Sequence, residues 1–309
     1  MARGDKDKSD GRKPRSLLVR ALKGAAIAVG TMVVGGVIFY GVGTLREEVR
    51  RSPSYQVSAQ SLRLVKGPAW MTPSILAELN VASLDPEFPD HFSLLDEGMS
   101  ERIAAAYLRC PWVECVERIV KHDPRVDPDT PPLEVFLKFR RPIAFVQARD
   151  GFYLVDDKGV RLPGAYRDPH LGATPLLVIQ GVTALPPAVA QKWADAGLLA
   201  GVRVAEAVDP RRETFHLTCV DVSNVGGRRD PRDTEIALFT ANQTRIKWGK
   251  APTQEAAMLQ EKTPEEKVAY LDYVYKRLNG QVDGVLAYID IPSEVVLRRS
   301  TETVTRVRS

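Results

Sequence analysis

The sequence is poor in the residues that do chemistry. Of 309 residues, only four are His and three are Cys. His91, His122, His170 and His216 are scattered and no CxxC occurs, so the spacing of a zinc site is missing. So low and odd a cysteine count excludes a disulfide framework. Cys110 and Cys115 either pair or serve as small buried residues flanking Pro111-Trp112. Catalytic signatures are absent too. No Ser has Lys three residues on, Lys262-Thr263 is followed by Pro rather than Gly, and neither GxSxG nor HExxH occurs. The glycines near the N-terminus follow no strand, so they form no dinucleotide fingerprint. Asp156-Asp157 is an acidic pair, but neighbours on a strand point to opposite faces and make no acid/base dyad. Asp157-Lys158-Gly159 reads as a turn, and so does the sequon Asn242-Gln243-Thr244. The expectation is a protein that is not an enzyme, with no metal, no cofactor and no small-molecule substrate.

Long apolar runs are equally scarce, with one exception. Gly24 to Leu45 holds 22 residues without a charge, bounded by Lys23 and Arg46. At about 1.5 Å per residue it reaches roughly 33 Å, enough for a bilayer core. A cleaved signal peptide would have a shorter apolar region, and Gly41-Val42-Gly43 is a poor cleavage site. Residues 1–23 carry eight Lys or Arg against three Asp, a net of +5; the whole chain is +4, which leaves −1 for everything after. The positive-inside rule then puts residues 1–23 in the cytoplasm and the bulk of the chain on the far side of the membrane. A basic tail also suits nucleic acid, but the near-neutral remainder carries no such footprint, so no nucleic-acid partner is expected.

The exported part, about 260 residues, has room for two domains. The predicted order opens with a strand over Tyr55–Val65. Thr72-Pro73 starts a helix bearing Ile75, Leu76 and Leu79, with Thr as N-cap and Pro at the first helical position. Ser83–His91 is a loop. A helix over Glu97–Arg109 places Met99, Ile103, Ala106 and Tyr107 on one face, and Pro111 stops it. Strands follow at Val116–His122 and Leu133–Phe139, separated by the turn-rich stretch 123–132; the second alternates cleanly. Beyond Pro142 the signal is mostly β: strands at Ile143–Ala148, Gly151–Asp156, Pro175–Ile179, Phe215–Val222, Glu235–Phe239, Gln243–Trp248, Leu286–Ile291 and Glu294–Arg299. A helix is expected at Leu185–Ala196 and a flexible loop at Asn224–Asp233. Thr263-Pro264-Glu265-Glu266 is a capping box whose helix ends at Asn279-Gly280. The fold class is α+β: one transmembrane helix, a βααββ module, and a mainly antiparallel β domain with a late helix.

The order of several short motifs points further. Pro111-Trp112-Val113 follows a helix, Arg140-Arg141-Pro142-Ile143-Ala144 opens a strand, and Tyr153-Leu154-Val155-Asp156 leads to Gly159. Thr234–Trp248 and the closing pair Tyr288–Pro292 and Val295–Arg298 complete the set. Together they resemble the FtsQ/DivIB family of cell-division proteins. The resemblance implies a basic cytoplasmic tail (1–23), a transmembrane helix (24–45), a POTRA domain (54–141), an FtsQ-like β domain (142–300) and a disordered tail (301–309). Residues 81–92 and 123–132 are longer than the family's turns, and Pro292 stands where the family often has Arg.

The resemblance also implies a role: a divisome scaffold in the inner membrane at the division septum, with small single-pass partners of the FtsB and FtsL type and other divisome membrane proteins. It implies binding by strand addition at the last strand, here Glu294, Val295, Val296, Leu297, Arg298 and Arg299. Val295 and Leu297 would face one way, Val296 and Arg298 the other. Pro111, Trp112, Val113 and Pro142 mark the helix end and strand start, with Trp112 either packed in the core or touching a partner. The alternative class is a POTRA-containing envelope protein that binds exported chains in secretion or assembly. Gly24, Ala28, Gly35 and Gly36 in the membrane helix either face lipid or admit a second helix closely.

Overall fold

The computed structural model describes residues 15–64, 67–127, 129–169, 176–251 and 261–299. The predicted tail 301–309, most of the basic tail, Val65 and Pro175 lie outside the described residues.

The long apolar run forms a single helix, α1, over Arg15–Arg51. It outruns the expected 24–45 at both ends. Between Leu22 and Arg51 it contains a stretch of mean hydropathy 2.0, none of it buried, long and apolar enough to cross a membrane.

The first module after α1 is α+β. The predicted strand Tyr55–Val65 is in fact broken. A short β1 (Gln56–Ser58) is separated from β2 (Arg63–Leu64) by a 3-10 turn at Ala59–Ser61, where the Ser58 side chain accepts the Gln60 N–H. Local hydrogen bonding by Ser thus interrupts the ladder. Helix α2 (Pro73–Glu78) has Thr72 as its cap, as the sequence indicates. The stretch Ser83–His91 is not simply a loop. Residues 81–84 form a one-turn helix, α3 (Val81–Leu84), capped by Asn80, and His91 begins β3 (His91–Ser93), which pairs with β1. Helix α4 (Met99–Leu108) buries Met99, Ile103, Ala106 and Tyr107. Strands β4 (Val113–Lys121) and β5 (Leu133–Phe139) pair antiparallel, and β2 joins β5 in parallel.

The second module is built on one eight-stranded sheet, ordered β13-β12-β11-β10-β9-β8-β6-β7. Its strands are β6 (Ala144–Ala148), β7 (Gly151–Val155), β8 (Leu177–Gln180), β9 (Leu217–Asp221), β10 (Ile236–Thr240), β11 (Arg245–Gly249), β12 (Leu286–Asp290) and β13 (Val295–Arg298). The expectation of a mainly antiparallel sheet needs correction. The β6·β8, β8·β9 and β11·β12 pairs are parallel, so the sheet is mixed. Each parallel pair needs a crossover, and two of these are helical.

The crossover from β8 to β9 uses α5 (Ala196–Val208), not the predicted helix at Leu185–Ala196. Pro186-Pro187 breaks that stretch, and Trp193 pins it by donating its indole N–H to Ala184 O at 3.1 Å. The helix starts at its cap, Asp195, and Gly197 and Gly201 hid it, since Gly is a weak helix former. Here the glycines face the sheet. A Cβ on Gly201 would lie 2.9 Å from both Ile179 Cγ2 and Val222 Cγ1. Propensity favours Gly201→Ala by about 1 kcal/mol, but overpacking costs roughly 1–3 kcal/mol. We expect a lower melting temperature for Gly201→Ala, read by circular dichroism.

The cap itself is acid-sensitive. Burial raises the Asp195 pKa, but the Leu198, Ala184 and Thr183 N–H groups and the Thr183 hydroxyl all donate to the carboxylate and outweigh it. The folded pKa therefore lies below the ordinary carboxylate value. Its contribution is present above the unfolded pKa, about 4, and is lost as pH falls through the folded one. Asp195→Ala is expected to lose roughly 1–2 kcal/mol at pH 7. The gap from the parent in urea unfolding should narrow at pH 3.

The crossover from β11 to β12 uses α6 (Pro264–Arg277), whose capping box is formed as read: Thr263 Oγ1 accepts from Glu266 N and Glu266 accepts from Thr263 N. The expected flexible loop Asn224–Asp233 is wrapped around one buried side chain. Asn224 accepts from the N–H groups of Arg229 and Asp230 and donates to Asp230 O and Thr234 O.

Candidate functional site

Two places gather the residues singled out in the sequence: the β13 edge and the joint between the modules.

β13 is the terminal strand of the large sheet and pairs on one side only, with β12, among the described residues. The turn that delivers it is held firmly. Asp290 Oδ1 accepts the Ser293 N–H at 3.1 Å, Glu294 takes a positive φ of 52°, and Lys262 pairs with Glu294. Pro292 sits exposed in this turn. Arg299 N donates to Val285 O at 2.9 Å, so the Arg299 amide points at the β12 side. Strand alternation then turns Val295 and Leu297 toward β12 and sends the N–H and C=O of Val296 and Arg298 outward.

The side chains divide as expected. Val296 packs onto the core, and it shares a shallow groove with Arg298. Helix α6 supplies the other wall with Tyr270, Tyr273 and Val274, joined by Leu278 just past its end. Burial pushes the Tyr270 hydroxyl pKa up, and Glu294 adds to it, so the phenol stays neutral. The sequence pattern did not reveal this groove, because it joins a helix and a strand that are distant along the chain. Among the described residues, the edge therefore offers unpaired backbone groups beside an apolar slot with charged ends.

The motif residues of the first module lie elsewhere. Trp112 is buried at 4% exposure among Phe145, Leu154 and Val178 of the second module, with its ring 6.2 Å from Trp70. It fills the joint between the modules, which places it in the core rather than on a free surface. Val113 is buried beside it, Pro111 is half-buried just past α4, and Pro142 stands two residues before β6.

No protein-family model matches this chain, and no curated protein sequence matches it.

The joint carries an ion pair that sequence reading did not assign. Arg140 Nη1 lies 2.8 Å from Asp156 Oδ2, with Asp156 only 1% exposed. Asp156 Oδ1 also accepts the Lys158 and Val160 N–H groups at 2.9 and 2.7 Å. Nearby, Glu114 on β4 is held below its usual pKa by Lys158 and then Lys138, which outweigh a burial effect in the other direction. Arg140 N donates to Trp112 O at 2.9 Å. The Arg140 and Asp156 motifs are thus the two halves of one clamp between modules.

Chemistry-bearing clusters are few. Cys110, Cys115 and Cys219 are all free, and no group of three or more metal-ligating side chains converges among the described residues. The Asn242 side chain of the sequon donates to Asp283 at 2.8 Å, in the turn between β10 and β11.

Proposed function

We propose that this chain is a membrane-anchored, non-enzymatic scaffold of the bacterial cell-division complex, of the FtsQ/DivIB kind. The carrying observation is the one-sided β13, with the outward backbone groups of Val296 and Arg298 beside the α6 groove. In this reading α1 crosses the inner membrane with its basic end in the cytoplasm, residues 54–141 act as a POTRA domain, and the eight-stranded module presents the edge. A segment of a small single-pass coiled-coil protein of the FtsB or FtsL type adds as a further strand. Main-chain bonds give the affinity, and the groove selects side chains.

Support comes from the agreement of independent features. The β2-β5-β4 sheet pairs β2 with β5 in parallel and β4 with β5 antiparallel, which supports a POTRA-like reading, while β1, α3 and β3 are additions to the expected βααββ order. The helix with the membrane-crossing composition directly precedes it. The absence of catalytic motifs from the sequence fits a scaffold. The direct test is imaging a fluorescent fusion in dividing cells. A band at midcell is expected; a uniform envelope signal would contradict the division role.

A further inference from the structure

We propose that the turn between β3 and α4 dips into the outer leaflet of the bilayer, with Leu95 as the inserted side chain; this rests on α1 spanning the membrane. Leu95 stands 45% exposed on a self-supporting turn, in which Ser93 N donates to Asp96 Oδ2 at 3.0 Å and Asp96 N to Ser93 O at 3.0 Å. The turn is fastened to α1. Arg50 Nε lies 3.2 Å from Asp96 Oδ1, and Arg46 pairs with Glu97.

The level of this turn along α1 is what identifies its surroundings. The uncharged run of α1 ends at Leu45, and Arg46 is the first charge after it. Leu95 borders a crevice of ≈ 440 Å³ together with Val42, Leu45 and Val49, with Arg46 and Arg50 at its rim. Val42 lies inside the run, about 4.5 Å below its end by helical rise. A side chain that faces Val42 and Leu45 therefore sits at the boundary of the hydrocarbon, where an open apolar crevice takes up lipid chains. The side chain that enters the crevice is Leu95, so the contact itself is apolar. The occupant is the bilayer itself, and the contact holds the exported region against the membrane rather than on a loose tether.

A spin-label experiment on the full chain in phosphatidylcholine liposomes tests this. Cys115 is removed as Cys115→Ser. Cys219, which is only half-buried, is removed as Cys219→Ala, and Cys110 is buried and so shielded from the label. Labels are placed at Leu95→Cys, at Val33→Cys within the span and at Val126→Cys, whose parent side chain is 82% exposed. Collision with oxygen should dominate at positions 33 and 95, and collision with a water-soluble nickel chelate at 126. An aqueous signal at 95 with a lipid signal at 33 overturns the contact but leaves the span. An aqueous signal at 33 overturns both.

Discussion

Arg140→Ala is expected to lower stability by about 3–5 kcal/mol, because it strands a buried carboxylate. Asp156 is 1% exposed and Arg140 is its close ion-pair partner at 2.8 Å. Two backbone donors, from Lys158 and Val160, remain on Asp156 but cannot neutralise it. Removing both charges together should be far milder. Arg140→Met with Asp156→Asn keeps an acceptor for the two amides and leaves no unpaired charge. Urea unfolding of the solubilised chain measures both variants. Equal losses for the single and the double variant would show that the clamp works through packing and not through charge. The β13 edge lies at the other end of the sheet from the joint at β6 and β7, so the double variant should retain partner binding.

Arg298→Pro should weaken a strand-adding partner about tenfold or more, equivalent to ~1.4 kcal/mol. Its outward N–H is lost, and the ring intrudes where the added strand would lie. Arg298 suits this test better than Val296, since Val296 also packs on the core and its replacement would disturb the sheet. Arg298→Ala keeps the backbone donor and should lose much less. Leu297→Pro instead breaks a bond to β12 and should show chiefly as a loss of stability. If Arg298→Pro and Arg298→Ala weaken binding equally, the partner is held by side chains and strand addition is wrong.

Local patterns carried much of this architecture. Met99, Ile103, Ala106 and Tyr107 are buried on one face of α4, as their spacing implies. The Thr263–Glu266 box and the alternation of Leu133 and Val135 translate directly into α6 and β5. Features decided by distant parts of the chain were not legible. α5 was hidden because its glycines pack against Ile179 and Val222, which no local window contains. The parallel pairing of β8 with β6 and β9 has no sequence period of its own. Arg140 and Asp156 were visible as motif residues, but their pairing across the joint was not. At the edge, the strand was legible from its alternation, whereas the groove needed α6 brought beside it.

The strand-addition claim is tested most directly by amide hydrogen exchange of the full chain with and without the proposed coiled-coil partner at saturation. The account predicts new protection at Val296 and Arg298, whose amides point outward, and little change at Val295 and Leu297, already bonded to β12. Unchanged exchange at Val296 and Arg298 in the saturated complex would contradict it.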